Sequence, residues 1–274
     1  MRTSVSVALL SLGLLACKPP PEAPTELNEL AGFVFERFMD DDPRDLALGM
    51  SNLDAWLQAN LDATGEGSVR EGYQVSDLDP ALIEAVRPEL EVQIEGSVAG
   101  SSVATVSAFD VEPVARALTV EEQELVFPDS YESHDRFFEA GEDCFISQDC
   151  DVLDTRNEVA ADYGPLKVAT HSRSQYRWIR YGEDDDQLAL LNRTWLLDPA
   201  ETTGTLGAIV EIKEQLYTGV ILPTPDGGSV RLGTIWVAVR LIGDLNEAIA
   251  LNAMVNAMKT DGDTLEVYLQ GGEE

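Results

Sequence analysis

Residues 166–242 constrain the fold more than any other part of the chain, because they hold most of its strand-like alternation and three of its four tryptophans. Apolar, β-branched and aromatic residues predict four strands here. These strands are expected at 166–178, 188–197, 208–222 and 230–242. The turn signals between them are typical of hairpins, and Pro-Thr-Pro-Asp-Gly-Gly at 223–228 is the strongest. We therefore expect an antiparallel meander whose apolar face another element must cover.

A C-terminal helix is expected to cover the apolar face of this sheet. Asp244 with Glu247 three residues later is a capping pattern, and the small residues that follow would let a helix lie close to a sheet. A break is expected at Asp261-Gly262. An earlier strand is expected at 90–94. The fold class that follows is α+β, with the meander sheet packed by the C-terminal helix. A β-sandwich with a helical extension is the alternative, and it would leave the terminal helix unaccounted for.

Helical periodicity also marks the N-terminal region. Thr25 is expected to cap a helix through Met39, and Asp42-Pro43 to open a second helix, so the two form a hairpin. Further helices are expected at 111–118, after the capping box that starts at Thr119, and at 130–139. The predicted organisation is a signal peptide (1–16), a lipidated cysteine with a Pro-rich tether (17–25), a helical region (26–87) and an α+β main domain (88–274).

The charge balance limits the possible partners. The chain has 18 Lys and Arg against 50 Asp and Glu, which gives a net charge of −32. Such a field repels nucleic acid phosphates and anionic lipid headgroups. We therefore expect no nucleic acid partner, and the dispersed acidic residues are typical of a solvated surface.

The first residues carry an export signal. One positive charge at Arg2 precedes a short apolar segment, a pattern typical of a cleaved signal peptide. Leu14-Leu15-Ala16-Cys17 resembles the lipobox of bacterial lipoproteins; the alternative is an ordinary signal peptide with an incidental cysteine. The resemblance implies that Cys17 becomes the N-terminus and is acylated, with chains such as palmitate, which would anchor the protein to a membrane. The residue after Cys17 is lysine and not the aspartate of inner-membrane retention, so the expected location is the outer membrane, facing the periplasm or the exterior. Pro19 to Pro24 would form a semi-rigid spacer.

The other two cysteines, Cys144 and Cys150, are expected to form a disulfide, because disulfides persist in exported chains. Zinc binding would need two more ligands, and redox catalysis usually uses Cys-x-x-Cys, so both are weaker alternatives. His134 is expected on the surface and His171 in the first meander strand. The sequence contains no recognisable catalytic motif, so we predict no catalytic residues, metal or cofactor.

The order of strand, short helices, antiparallel meander and closing helix resembles the helix-grip arrangement of START-like domains, over about residues 88–270. The segments Asp143-Cys-Phe145, Gln148 to Asp151, Gln175 to Trp178 and Arg193 to Pro199 are also similar to those of predicted bacterial lipoproteins of uncharacterised function, which implies no activity. The START-like resemblance implies an elongated apolar cavity between sheet and helix that holds lipids or other hydrophobic ligands. Its candidate lining residues are Trp178, Arg180, Arg193, Trp195, Glu214, Tyr217, Trp236 and Arg240.

The leading hypothesis is a non-enzymatic cell-envelope lipoprotein that binds a hydrophobic small molecule. The alternative is an envelope scaffold or protein-interaction module without a cavity, in which the aromatic residues are ordinary core and the charges face solvent. A hydrolase is a third hypothesis, and it needs a buried carboxylate or histidine beside a nucleophile or water. An internal cavity separates the first two hypotheses.

Overall fold

The computed structural model describes residues 20–61, 69–79, 81, 83, 98–162, 166–207, 209–241 and 248–271. Cys17, the strand expected at 90–94 and the capping pattern at Asp244 lie outside the described residues. The helices are α1 (Leu27–Glu36), α2 (Arg44–Asn60), α3 (Val111–Thr119), α4 (Gln123–Val126), α5 (Gly204–Gly207) and α6 (Ala248–Gly271), with a 3-10 turn at Arg37–Met39. The strands are β1 (Val69–Leu78), β2 (Val98–Ser107), β3 (Tyr131–Ala140), β4 (Val152–Asp162), β5 (Lys167–Tyr181), β6 (Gln187–Leu196), β7 (Glu201–Thr203), β8 (Val210–Pro223) and β9 (Ser229–Leu241).

The strands form one sheet in the order β1-β2-β9-β8-β6-β5-β4-β3, and β7 pairs with β5. Every pairing in the described part of the chain is antiparallel. The four strands predicted from residues 166–242 are β5, β6, β8 and β9, and their bounds agree with the prediction to within a few residues. The α+β class with an antiparallel meander is therefore confirmed, and the sandwich alternative is wrong.

The C-terminal helix α6 lies on one face of the sheet, mainly against β2. It runs for 24 residues without the break expected at Asp261-Gly262. Gly262 instead serves close packing, because a Cβ built on it would lie 2.5 Å from Thr105 Cγ2. Ser107 Oγ donates a hydrogen bond to Glu266 at 2.7 Å and adds a polar contact between the two elements.

The α1–α2 hairpin covers the opposite face, where α1, α2 and the sheet share one hydrophobic cluster. Phe35 contacts the ring of Trp236 edge-on, with ring centroids 5.8 Å apart. The guanidinium of Arg177 donates to the carbonyl oxygens of Phe38 and Asp40. The predicted hairpin is therefore present, and it is part of the same core as the sheet.

Several local predictions differ from the structure. The position before α1 is Glu26 and not Thr25, and α2 follows Pro43 without a side-chain cap. The helical prediction for 26–87 is wrong at β1, which pairs with β2 across the predicted boundary at 87/88. The helical prediction for 130–139 is also wrong, because this segment is strand β3. Its buried positions are the polar His134 and Arg136, so no apolar alternation marks it as a strand.

The predicted tether lies partly along the hairpin. Asn52 of α2 donates a hydrogen bond to the carbonyl oxygen of Pro24 at 2.7 Å. The backbone N–H of Glu22 donates to the carboxylate of Asp45 at 3.1 Å. The chain is thus held against α2 from Glu22 onward, so any free spacer is shorter than the 17–25 range predicted.

The Cys144–Cys150 disulfide is present, and its Cα atoms are 5.4 Å apart. None of the helices in the described part of the chain combines the length and apolarity needed to span a membrane.

Candidate functional site

A cavity of about 500 Å³ lies between the sheet and α6. Its walls come from β3, β4, β5, β6, β8 and β9, with α6 and the α3–α4 segment closing it. The volume falls in the range typical of small-molecule sites. Most of the lining is apolar, and the apolar side chains include Leu118, Phe127, Val159, Ala161, Leu166, Val168, Leu196, Leu206, Val210, Ile212, Ile221, Ile235, Met254, Ala257 and Met258.

One part of the cavity wall is an apolar cluster. Val168, Leu196, Val210 and Ile212 belong to a single hydrophobic cluster, and Met254 of α6 packs against it. All five residues line the cavity. We call this set the apolar end.

A first polar group on the wall is Arg136 of β3. Its guanidinium donates to the carbonyl oxygens of Leu118 (3.1 Å) and Val120 (2.7 Å) and to the side-chain oxygen of Asn157 (3.2 Å). It also lies over the ring of Tyr176, 5.9 Å from the ring centroid. A buried guanidinium is tolerated only when its N–H groups have hydrogen-bond acceptors. Arg136 meets this condition with protein acceptors alone.

A second polar group is formed by Tyr217 of β8 and Arg231 of β9. Arg231 Nη2 donates a hydrogen bond to the Tyr217 hydroxyl at 2.9 Å. That hydroxyl lies over the cross-strand pair Gly219 and Gly233, because a Cβ on either glycine would approach it to 2.8 or 2.9 Å. The two glycines leave the space that the tyrosine ring needs above the sheet.

Asp261 of α6 faces the same region. The Ser130 hydroxyl donates to its carboxyl at 2.6 Å. Burial raises the pKa of Asp261, although Ser130 and Arg231 act in the opposite direction. Burial lowers the pKa of Arg231, but its interactions with Tyr217 and Asp261 more than offset this effect, so the pKa is raised. Arg231 is therefore a permanent cation beside the cavity.

His134 also lines the cavity, so the prediction that it is a surface residue is wrong. Burial, and then the nearby charge of Arg136, lower its pKa to about 4. The imidazole is therefore neutral at pH 7. His171 is exposed, as a β5 residue beside Asp198, and the hydrogen bond to that carboxylate raises its pKa.

The structure separates the eight candidate pocket residues. Tyr217 lines the cavity with its side chain. Trp195 borders the cavity, but its ring faces the hairpin side beside the guanidiniums of Arg173 and Arg193. Trp178 does not line the cavity, so the prediction is wrong for it too; it lies in the adjoining core, where its ring stacks on Phe145 and its N–H donates to the Phe145 carbonyl oxygen.

The other five candidates do not line the cavity, and for these the prediction is wrong. Trp236 and Arg193 face the α1–α2 hairpin, where the Arg193 guanidinium lies 4.6 Å from the ring centroid of Phe38. Arg180 and Arg240 are exposed. Glu214 is buried beside a register shift in β8 and is not a wall residue.

That register shift is a bulge between Ile212 and Glu214. Before it, Val210 and Ile212 face the cavity; after it, Tyr217 and Ile221 do. A bulge inserts one residue, so the strand's even positions change face partway along. The apolar alternation at even positions of 208–222 therefore does not describe a single face.

Sequence reasoning missed Arg136, Arg231 and Asp261 as wall residues. The glycines at 219 and 233 are the signal that was available, because glycine inside a strand often marks a close approach of another group. The spacing of His134 and Arg136, two residues apart, would also place both on one face of a strand.

The arrangement limits the chemistry of the site. Within the described ranges, no group of three or more His, Cys, Asp or Glu side chains could hold a metal ion. The half-buried Asp261 accepts a hydrogen bond from the Ser130 hydroxyl, but among the residues that the structure describes no hydrogen bond joins His134 to either of them. A nucleophile paired with a general base, which hydrolysis by this site would need, is not formed by these three residues.

No family model matches the chain, and no curated protein matches it either. Similar solved structures include human StAR-related lipid transfer protein 5, which is 11% identical, with 84% of this chain and 99% of that chain covered and a TM-score of 0.45. A fragment of the STAR-related lipid transfer protein from Xanthomonas axonopodis is 11% identical, with 77% and 98% covered and a TM-score of 0.48. A START superfamily protein from Mycobacterium smegmatis is 10% identical, with 64% and 99% covered and a TM-score of 0.41.

Proposed function

We propose that this protein is a non-enzymatic cell-envelope lipoprotein, anchored through acylated Cys17, that holds a hydrophobic small molecule between its sheet and α6. The observation that carries the proposal is the cavity of about 500 Å³ with a mainly apolar wall. Water gains few hydrogen bonds in such a space, whereas an apolar ligand there is removed from water at about 25 cal/mol per Å² of buried surface.

The alternative of an envelope scaffold needs no cavity. A protein that only presents a surface would gain stability by filling this space with side chains, because an empty apolar volume costs about 24 cal/mol per Å³ in core substitutions. The open space beneath α6 therefore favours ligand binding over a purely structural role.

Anchoring is supported by the leader and by Cys17 in the lipobox-like segment. Because the chain is held against α2 from Glu22 onward, the domain would lie close to the outer membrane surface, facing the periplasm or the exterior. Mass spectrometry of the mature N-terminus tests this part. We expect a chain that begins at acylated Cys17, and a chain that still begins at Met1, or that carries an unmodified Cys17, would contradict it.

Ligand binding is tested by extracting the purified full-length protein with organic solvent and quantifying the released molecules, since covalent acyl chains stay on the protein. We expect a hydrophobic compound at near-stoichiometric amount. Ala257→Phe, which fills the cavity from α6, should reduce it strongly. Ala59→Phe adds the same ring at an exposed helical site and should not. Equal yields from the two variants would argue against the cavity as the binding site.

A further inference from the structure

The charged groups that line the cavity sum to a positive charge, opposite in sign to the net charge of the chain. The lining residues with an imidazole, guanidinium or carboxyl group are His134, Arg136, Arg231 and Asp261. His134 is neutral at pH 7 because burial depresses its pKa. Two guanidiniums and one carboxyl group remain, in a chain whose net charge is −32. Binding a neutral ligand does not require a net positive charge in the cavity.

The two guanidiniums differ in how well they are satisfied. Arg136 has backbone and side-chain acceptors on several of its donors and therefore acts as a structural clamp. Arg231 has one hydrogen bond among the described residues, to the Tyr217 hydroxyl, and no carboxylate within 4.0 Å in that part of the chain. A guanidinium has five N–H donors, so most of those on Arg231 are not used by the described protein groups.

Asp261 compensates Arg231 only in part. It interacts with Arg231 beyond salt-bridge distance, and its carboxyl accepts the hydrogen bond from Ser130. An enclosed cation without an ion-pair partner is costly, and a bound anion would remove that cost.

The cation and the apolar end lie apart. Tyr217, which accepts from Arg231, and Ile212 of the apolar end are both on β8 and are separated by roughly 15 Å of strand. The cavity therefore has a cationic end and a hydrophobic end, as an anionic amphiphile requires.

We propose that the ligand is a long-chain carboxylate, whose headgroup is held by the guanidinium of Arg231 and whose hydrocarbon chain lies against the apolar end. This inference rests on the function proposed above and specifies its ligand class. A planar guanidinium matches the two oxygens of a carboxylate. One uncompensated cation balances one negative charge, whereas a dianionic phosphate would keep an excess charge facing Asp261.

The test is photo-crosslinking of the full-length protein with two probes, a diazirine-bearing long-chain fatty acid and the alcohol of the same chain. Capture is quantified by intact mass over a range of probe concentrations. We expect tighter capture of the acid than of the alcohol. Arg231→Met should weaken acid capture by about 10- to 100-fold and leave alcohol capture unchanged, because a charge-assisted hydrogen bond is lost. Arg240→Met removes an exposed guanidinium from the same strand and should change neither.

Asp261→Asn gives a second test that does not depend on how well Arg231→Met folds. It removes the carboxyl that faces the headgroup, so acid capture should rise severalfold while alcohol capture stays the same. A fall in acid capture would overturn the proposal. Equal capture of acid and alcohol by the unaltered protein, insensitive to Arg231→Met, would also overturn it but leave the cavity function standing. Capture of neither probe would count against the proposed function itself.

Discussion

Gly262 of α6 lies so close to Thr105 of β2 that a Cβ on the glycine would be 2.5 Å from the threonine Cγ2. Such a contact is too close for two carbon atoms, so the Thr105 side chain, the helix or the strand would have to shift. The position of α6 over the sheet, and with it the roof of the cavity, therefore depends on the absence of a side chain at residue 262.

Gly262→Ala should lower the free energy of unfolding by about 1–3 kcal/mol, because the added methyl overpacks this contact. Urea unfolding measures the change. Gly271→Ala in the same helix is the control, since nothing lies within 4 Å of its added Cβ, and it should be neutral or slightly stabilising. Adding Thr105→Ala to Gly262→Ala removes the nearest atom and should recover part of the loss. A neutral Gly262→Ala would contradict this account of the helix contact.

Arg193 links the sheet to the α1–α2 hairpin. It donates two hydrogen bonds to Gln175 Oε1, at 2.9 and 2.8 Å, and lies between the rings of Phe38 and Trp195. Burial lowers its pKa to about 10. It is thus a buried cation stabilised by an amide and two aromatic faces.

Arg193→Met should reduce the free energy of unfolding by about 2 kcal/mol, since Gln175 loses both donors while the apolar volume is retained. Arg240→Met is the matched control, because that side chain is 70% exposed, and it should stay within about 0.5 kcal/mol of the unaltered protein. If the two variants unfolded at the same urea concentration, the role of Arg193 in linking the sheet to the hairpin would be refuted.

The sequence predicts the meander well because β5, β6, β8 and β9 are long and carry repeated apolar positions, which a sheet covered on both faces requires. It predicts the cavity wall poorly for two physical reasons. The buried positions of β3 are the polar His134 and Arg136, and these hide the apolar alternation on which strand assignment depends. The bulge between Ile212 and Glu214 also changes the sheet face to which the even-numbered residues of β8 point.

Aromatic residues were poor guides to the cavity for a related reason. Trp236 and Trp195 pack towards the α1–α2 hairpin. The hairpin covers the sheet face opposite α6, so that face is not left to solvent. With both faces buried, composition does not distinguish the ligand side from the core side. Only the pairing of Gly219 with Gly233 marks the place where the ring of Tyr217 lies over the sheet.

His134 should make the folded protein sensitive to acid. Its pKa is about 4 in the folded protein, below the ordinary value of 6.5. Well above pH 6.5 the imidazole is neutral in both states and contributes nothing to the pH dependence. As the pH falls from 6.5 towards 4, the unfolded chain binds a proton that the folded protein does not, so the free energy of unfolding falls by about 3 kcal/mol over this window.

His134→Gln should remove this part of the acid sensitivity, which is measured as the difference in urea unfolding between pH 7 and pH 4.5. The carboxylates titrate in both proteins, so the comparison isolates the imidazole. His171→Gln is a control of opposite sign. The raised pKa of His171 contributes stability that is present below 6.5 and is lost as the pH rises through the folded value, so its removal should steepen the acid loss. Identical pH profiles for the unaltered protein and His134→Gln would refute the prediction.

The Cys144–Cys150 disulfide should stabilise the wall next to the cavity. It closes a short loop that contains Phe145, whose ring stacks on Trp178 at a centroid distance of 5.4 Å and whose carbonyl oxygen accepts from the Trp178 N–H. Replacing both cysteines by serine should lower the free energy of unfolding by about 2 kcal/mol on the chain-entropy model. The fluorescence of Trp178 should change in the same variant, because the loop closed by the disulfide positions the Phe145 ring that stacks on Trp178. Ser147→Ala, at an exposed position in the same loop, should have little effect. Peptide-resolved thiol labelling of the denatured, unreduced protein should find neither Cys144 nor Cys150, and labelling of both would show that the bridge does not form in the native compartment.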